Sequence, residues 1–556
     1  LEISDFAGKD DEDMKPQAFS HITRLENLKK FEQEKFDLFI IGGGINGAGI
    51  ARDASMRGMK VALVEANDFA SGTSSRSSKL IHGGIRYLEN FEFHLVFEAL
   101  SERQKLFAMA PHLVHPLRFM LPLYKGGRVG MVKMGLGMWL YDALSLFQAP
   151  ELHERLSEKE SLERMPFLQK DELLGSYVYS DAYMDDDRLV HETLRSANAH
   201  GAIIANYVKA TGVEMHKDKV SAVALRDQLT GKTFTAKARH FVSTVGPWTD
   251  EVGSHFFKNW KKRLRPTKGV HLTFAKERIP LSSAVVMAAE ERIVFGIPRH
   301  EMVIVGTTDT DYSGPPENVR TNREDVEYLL GVVDKYFPGA KIREKDIVAS
   351  YEGVRPLVAD EASTEGKTSR EHVIFTEPHG ITFVVGGKYT TYRLISQQAV
   401  EHCLSFFPIE DKVRYVRCQT EQPINPLITE ETFSELDSVF EFLRKNTGLQ
   451  EEQIRWLAER HGPEAIKIVN RYGARLTYSE YEARHAIDST MCLNLLDFFQ
   501  RRVPFVLAHK DHGVSEIPRI SAVFQTQLRL STEELNEQVK KFLEHLSTEF
   551  AWRKQS

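Results

Sequence analysis

The chain has 556 residues, too many for one compact unit when domains average about 150 residues. Hydrophobic residues at 42% and charged residues at 27% are ordinary for globular proteins, which excludes collagen-like, disulfide-scaffold and extensively disordered classes. Lys plus Arg total 72 against 78 Asp plus Glu, a formal charge of −6, so no global field favours nucleic acid.

The three cysteines, Cys403, Cys418 and Cys492, lie far apart and form no CxxC, which excludes a zinc ribbon and fits a reducing compartment. No uncharged apolar run reaches the roughly 18 residues of a spanning helix. Residues 1–35 are charged and lack the apolar core of a secretory signal. They read as an N-terminal extension, with Met14 a candidate start.

The first clear unit spans residues 36–65. Phe36-Asp37-Leu38-Phe39-Ile40-Ile41 reads as a buried strand, Gly42-Gly43-Gly44-Ile45-Asn46-Gly47 opens a helix, and Lys60-Val61-Ala62-Leu63-Val64 is a second strand ending in Glu65. In this βαβ setting GxGxxG is a dinucleotide signal. Gly42 allows the tight turn, Gly44 lets backbone approach a pyrophosphate, and Gly47 lets helix and strand pack closely. Glu65 stands where a carboxylate accepts hydrogen bonds from ribose hydroxyls and repels a 2′-phosphate. The loop that follows, Thr73-Ser74-Ser75-Arg76-Ser77-Ser78-Lys79-Leu80, offers hydroxyls and amides that can follow a cofactor inward.

Later strands are expected at 202–205, 220–225, 240–245, 269–274, 302–305, 373–375 and 382–385. Helical periodicity dominates after Thr391, with amphipathic stretches at 430–444, 451–460 and 533–546. The expected organisation is an interleaved pair of domains over 36–405, with substrate parts near 100–190 and 265–355, then a helical domain over 406–556.

The runs GGGINGAG, TSSRSSKLIHGGIRYLE, GTTDTDY, YEGVRPL and GGKYTTYR occur in one order. Together they resemble the FAD-dependent glycerol-3-phosphate dehydrogenases and their oxidase relatives, from about Phe36 to Arg393 and more weakly beyond. The resemblance implies an α/β fold: a Rossmann-like FAD-binding domain of glutathione-reductase type, interleaved with a sheet-based substrate domain and followed by an all-helical one. It implies oxidation of glycerol 3-phosphate to dihydroxyacetone phosphate. Electrons then pass from FAD to membrane quinone or, in the oxidases, to oxygen. The absence of a long insertion between motifs favours the dehydrogenase. A flavin-stabilised binding protein is the alternative from another class.

On that resemblance, Arg355 and Arg370 match a phosphate clamp, for which arginine's planar fork is suited. Lys388 matches a lysine near flavin and substrate. His82 is proposed as base or hydroxyl orienter, since an imidazole with a pKa near ~6.5 accepts a proton at neutral pH; Lys388 is the rival base. Arg86, Tyr87 and Thr308 are expected around the substrate. The cofactor set adds Val208, Gly246, Trp248, Gly387, Thr390 and Thr391, the last opening a helix whose positive end favours a reduced, anionic flavin.

No metal site is expected. His509 and His512 lack a second half, and Asp185-Asp186-Asp187 lack EF-hand spacing and read as caps of a helix near Arg188. Residues 113–145 carry Arg118, Lys125, Arg128 and Lys133 among Met131, Met134, Leu136, Met138, Trp139, Leu140 and Tyr141. That mixture suits monotopic attachment to an anionic bilayer. The expectation is a cytoplasmic protein held at the inner face of the membrane, with monomer and homodimer both open.

Overall fold

The computed structural model describes residues 19–289, 292–359 and 372–554. Two sheets organise the chain. The first has eight strands in the order His372–Thr376, Ile381–Gly386, Thr233–Ser243, Lys35–Ile41, Val61–Val64 and Ile203–Ala205, with the antiparallel pair Val208–His216 and Lys219–Asp227 alongside. Its central strands are parallel, with Ile41 level with both Ser243 and Val64. Buried on both faces, they read as continuous apolar runs. Their carboxyl ends lead into Gly42, Glu65, Thr244 and Gly387, so the loops that follow converge at one edge.

The helix Ile45–Met56 is buried along almost its whole length and packs against Asp186–Ala199 and Tyr392–Leu404. A Cβ on Gly49 would lie 2.2 Å from Ser396 Oγ, so only glycine allows this crossing. The stretch before Phe36, read from sequence as an extension, contains the helix His21–Gln33. Its Phe31 is buried in the first lobe and its Arg24 pairs with buried Asp227, so residues from Phe19 onward belong to that lobe.

The second sheet has ten strands, running from Thr310–Asp311 through Leu264–Ala275, Met302–Gly306, Arg292–Arg299, Ala284–Ala289, Val114–Tyr124 and Leu173–Met184 to Leu80–Ile81. Ile347–Val358 pairs along Leu264–Ala275 and brings Arg355 opposite Thr267. Residues 113–145 therefore divide into a sheet strand and the helix Met131–Leu144. Arg118 lies on the strand and bonds Glu154 and Ser180.

The helices from Asp437–Asn446 to Thr532–Glu549 enclose a separate core that also takes in Val348 and Ala349 of the second sheet. The stretch 430–444 is two helices, Glu430–Ser434 and Asp437–Asn446. The helical lobe is tied to the first by ion pairs: buried Arg501 and Arg502 both reach Asp68, and half-buried Arg195 reaches Glu464. Trp552 is buried and its indole donates to Ser350 Oγ at 2.8 Å. The aspartates before Arg188 serve the helix start in part: Asp186 Oδ1 accepts from Asp187 N at 2.9 Å and Asp187 Oδ1 from Arg188 N at 2.7 Å. The helix begins at Asp186, Asp185 makes no capping bond and pairs with Arg299, and Asp186 is taken by Lys79 and Ser77.

Candidate active site

One cleft, with a cavity of about 550 Å³, runs from the first βα turn to the second sheet. Its nucleotide end is mostly backbone. Gly42 has φ 112°, and a Cβ there would meet Thr244 O at 2.7 Å. Gly47 does not line the cleft; a Cβ on it would fall 1.9 Å from Gly42 O, so it fixes the turn from behind. Gly44 and Asn46 face the space, and Ser74 Oγ accepts from Ile45 N at 3.0 Å, stitching the serine loop to the helix start. That end carries the positive pole of the helix dipole, which suits a pyrophosphate.

Glu65 accepts from Gly43 N at 2.7 Å through Oε2 and from Asn67 N at 2.9 Å through Oε1. Each oxygen keeps lone-pair capacity for a ribose hydroxyl. Burial pushes the carboxyl upward, and the amide bonds from Asn67 and Gly43 oppose it. A glycine cradle, a helix start and a buried two-oxygen acceptor together fit the adenosine diphosphate half of FAD.

The middle of the cleft is walled by Thr73, Ser74, Ser78, Leu80, Val208, Gly246 and Trp248. Thr73 Oγ1 donates to Val354 O at 2.7 Å, and Trp248 Nε1 to Glu317 Oε2 at 3.0 Å. Ser75 and Lys79, expected on the cofactor, are buried and not part of this wall. Lys79, at φ 55° just before the strand Leu80–Ile81, is buried and paired with Asp186.

At the far end, chain segments distant in sequence meet. Arg355 donates to Asp309 Oδ1 at 2.9 Å, to Thr307 Oγ1 at 2.8 Å and to the Thr308 carbonyl at 3.3 Å. A Cβ on Gly269 would come within 2.5 Å of the guanidinium, so that glycine makes its room. Lys388 Nζ stands 3.7 Å from the centre of the Tyr87 ring, a cation–π contact. His82 N donates to Thr390 Oγ1 at 3.2 Å, and its ring meets Phe295 edge to face. Gly387 has φ 90°, and with Thr390 it lines the cleft just before the helix Tyr392–Leu404.

Three residues expected at the site do not line the cleft. Thr308 is buried with its Oγ1 accepting from Val270 N, while its neighbours Thr307 and Asp309 hold Arg355. Thr391 Oγ1 turns back to Lys388 O, and half-buried Arg86 is not part of the wall. Arg370 lies outside the described residues.

Two wall residues escaped the sequence reading. His271 Nε2 and Ser78 Oγ are 2.8 Å apart, and its ring stacks on Tyr351 at 4.6 Å. Burial, then the nearby Arg355, holds His271 well below the usual histidine value, so it is neutral. Strand alternation places Gly269 and His271 on one face, the signal that could have found it. Arg76 also lines the cleft and pairs with Glu549, bringing the last long helix to the site.

A family model described as FAD dependent oxidoreductase matches residues 37–393, and one described as the C-terminal domain of alpha-glycerophosphate oxidase matches 426–535. An aerobic glycerol-3-phosphate dehydrogenase of Staphylococcus haemolyticus (strain JCSC1435) is 34% identical over 542 residues, 93% of this chain and 97% of the relative. The chain belongs to the FAD-dependent aerobic glycerol-3-phosphate dehydrogenase family. The Staphylococcus aureus (strain USA300) member is likewise 34% identical, over 94% of this chain and 98% of its own. A crystal structure of the glycerol-3-phosphate dehydrogenase from Bacillus halodurans complexed with FAD is 28% identical, with TM-score 0.77 over 96% of this chain and 98% of that one. An L-alpha-glycerophosphate oxidase from Mycoplasma pneumoniae with FAD bound shares the fold, at 18% identity and TM-score 0.53 over 70% of this chain and 98% of that one. The chain is thus an FAD-dependent oxidoreductase, and the expected α/β fold with a C-terminal helical domain is the observed one.

Proposed function

We propose that this chain oxidises sn-glycerol 3-phosphate to dihydroxyacetone phosphate and passes the electrons to a membrane quinone. The observation that carries the reading is a fixed guanidinium and an ammonium at the end of the same cleft that opens on the glycine turn. A phosphate monoester needs fixed cations, and Arg355, already oriented by Thr307 and Asp309, supplies a planar fork with little left to order.

When bound in this cleft, FAD would supply the hydride acceptor for oxidation at C2 of the alcohol. The chain's own residues take the hydroxyl proton, hold the phosphate and exclude water. His82 is the group assigned to the proton, with Lys388 beside Tyr87 orienting the substrate. Gly387, Thr390 and the helix start after them are the groups that would hold the flavin, and their positive backbone potential would favour its reduced, anionic form.

Attachment to the membrane belongs to the helix Met131–Leu144. Val132, Leu136 and Trp139 are 81%, 69% and 59% exposed, at spacings that share one face. Leu146 and Phe147, just after the helix, are exposed, and Lys125, Arg128 and Lys133 are exposed basic residues. Among the described residues no helix is long and apolar enough to cross a bilayer, so the proposed mode is insertion of this face at the inner surface.

Anaerobic addition of glycerol 3-phosphate to the FAD-loaded protein should bleach the flavin, and glycerol should not. A soluble quinone should then restore the colour faster than oxygen. Persistent colour with glycerol 3-phosphate would refute the substrate, and faster reoxidation by oxygen would assign the oxidase chemistry instead. Vesicles containing anionic lipid should capture the protein, and Leu136→Glu with Trp139→Glu should release it; unchanged capture would refute the attachment face.

A further inference from the structure

The helical lobe contains a histidine pair that the oxidoreductase chemistry does not use. His461 ends the helix Glu451–His461, Glu464 begins the helix Glu464–Tyr472, and Gly462, at φ 50°, makes the turn that brings them together. His485 comes from the neighbouring helix Tyr478–Ser489, and its ring meets that of His461 edge to face with centroids 4.8 Å apart. One ligand atom from each of His461, Glu464 and His485 lies within 4.8 Å of the others.

The hydrogen bonds around this cluster are unevenly distributed. His461 Nε2 and Glu482 Oε1 are 2.9 Å apart, an arrangement in which the carboxylate accepts the Nε2 proton and the Nδ1 lone pair is bare. His461 Nδ1 and His485 Nε2 are both buried without a hydrogen-bond partner among the described residues, and the two side chains belong to residues only 2% and 6% exposed. Leaving a buried polar atom unmatched costs about 1–3 kcal/mol, so two in one cluster ask for a shared partner. Glu464 accepts from Arg195 Nη2 at 2.6 Å, Arg195 Nη1 at 3.2 Å and Asn425 Nδ2 at 3.0 Å. A carboxylate has about four lone-pair sites, so one remains after these donors.

We propose that His461, His485 and Glu464 form a binding site for a divalent metal of the zinc class, with Glu482 as the carboxylate that orients His461. Two imidazole nitrogens and one carboxylate oxygen are a zinc-type donor set, and water completes the tetrahedron. In such a tetrahedron ligand atoms stand about 3.3 Å apart, so small side-chain rotations close the site around the ion. The ion would join three helices of the lobe and, through Glu464 and Arg195, the helix Asp186–Ala199 of the first lobe. Its role is structural, and it stands apart from the flavin cleft, whose wall contains none of these residues.

The test uses the full-length, FAD-loaded protein after chelator treatment, with Co²⁺ and Zn²⁺ as the probes. One equivalent of Co²⁺ should give the visible d–d bands of a tetrahedral site at wavelengths beyond the flavin absorption, and one equivalent of Zn²⁺ should abolish them. Saturating Zn²⁺ should raise the melting temperature of the wild type in a concentration-dependent way. His485→Ala and Glu464→Gln should lose the bands, and Glu482→Gln should bind Zn²⁺ about 10–100-fold more weakly. Absence of the bands in the wild type overturns the site whatever the variants do. Bands that survive His485→Ala overturn the ligand assignment.

Discussion

At its nucleotide end the cleft is built from backbone: glycines, a helix start and one carboxylate, all within a short stretch of chain. At its substrate end it is built from side chains, with His82, Tyr87, His271, Arg355 and Lys388 carried there by both sheets. The first design binds a large cofactor through shape and amide dipoles, which single substitutions weaken modestly. The second concentrates charge and proton transfer in a few groups, each expensive to remove. The difference predicts that substitutions at the two ends will separate cleanly into loss of FAD and loss of turnover.

The largest effect is expected at His82. His82→Ala should keep its FAD and slow anaerobic flavin reduction by about 10²–10⁴-fold, the usual worth of a positioned acid–base group. An unaltered rate, measured by stopped-flow, would transfer the proton to Lys388. Next is Arg355→Leu, for which kcat/KM with glycerol 3-phosphate should fall about 10²–10³-fold at unchanged FAD content, from the loss of charged hydrogen bonds worth about 1.5–3 kcal/mol each.

A smaller effect should appear under the nucleotide end, away from both chemistries. His240 is buried on the central strand, 2.7 Å from Thr382 Oγ1 and stacked on Phe406, and burial lowers it to about 4. A histidine depressed in the folded state contributes stability that is present above pH 6.5 and lost as pH falls through about 4. Denaturation at several pH values should show the wild type losing about 3 kcal/mol more than His240→Gln over that window. Smallest is Glu65→Gln, which should weaken FAD by about 1–2 kcal/mol and leave kcat of the loaded enzyme unchanged. Fluorescence of released flavin measures it, and a loss of kcat without loss of FAD would blur the two ends.

The same contrast explains what was legible in the sequence. The glycine turn, Glu65 and the serine loop are local signals, and each residue's role follows from its neighbours in the chain. His271 reaches the cleft on the strand Leu264–Ala275, which sheet pairing sets against Ile347–Val358, and Arg76 is held there by Glu549, information that no local window contains. Ser75 and Lys79 stand outside the cleft wall for the complementary reason. Adjacent residues of a loop need not face the same way, and Asp186, far along the chain, draws Lys79 inward. The strand Val114–Tyr124 was hidden because an amphipathic reading of residues 113–145 merged it with the exposed helix after it. The histidine pair His461 and His485 carries no spaced motif, since helix packing alone brings the two together.

Arg355 is the group proposed to make a phosphate-bearing alcohol the preferred reductant. The most direct test is the ratio of anaerobic flavin-reduction rates with glycerol 3-phosphate and with glycerol, in the wild type and in Arg355→Leu at equal FAD occupancy. The ratio should be large in the wild type and collapse by about 10²-fold or more in the variant. A variant that reduces its flavin with the wild-type preference would contradict the assignment of the substrate end.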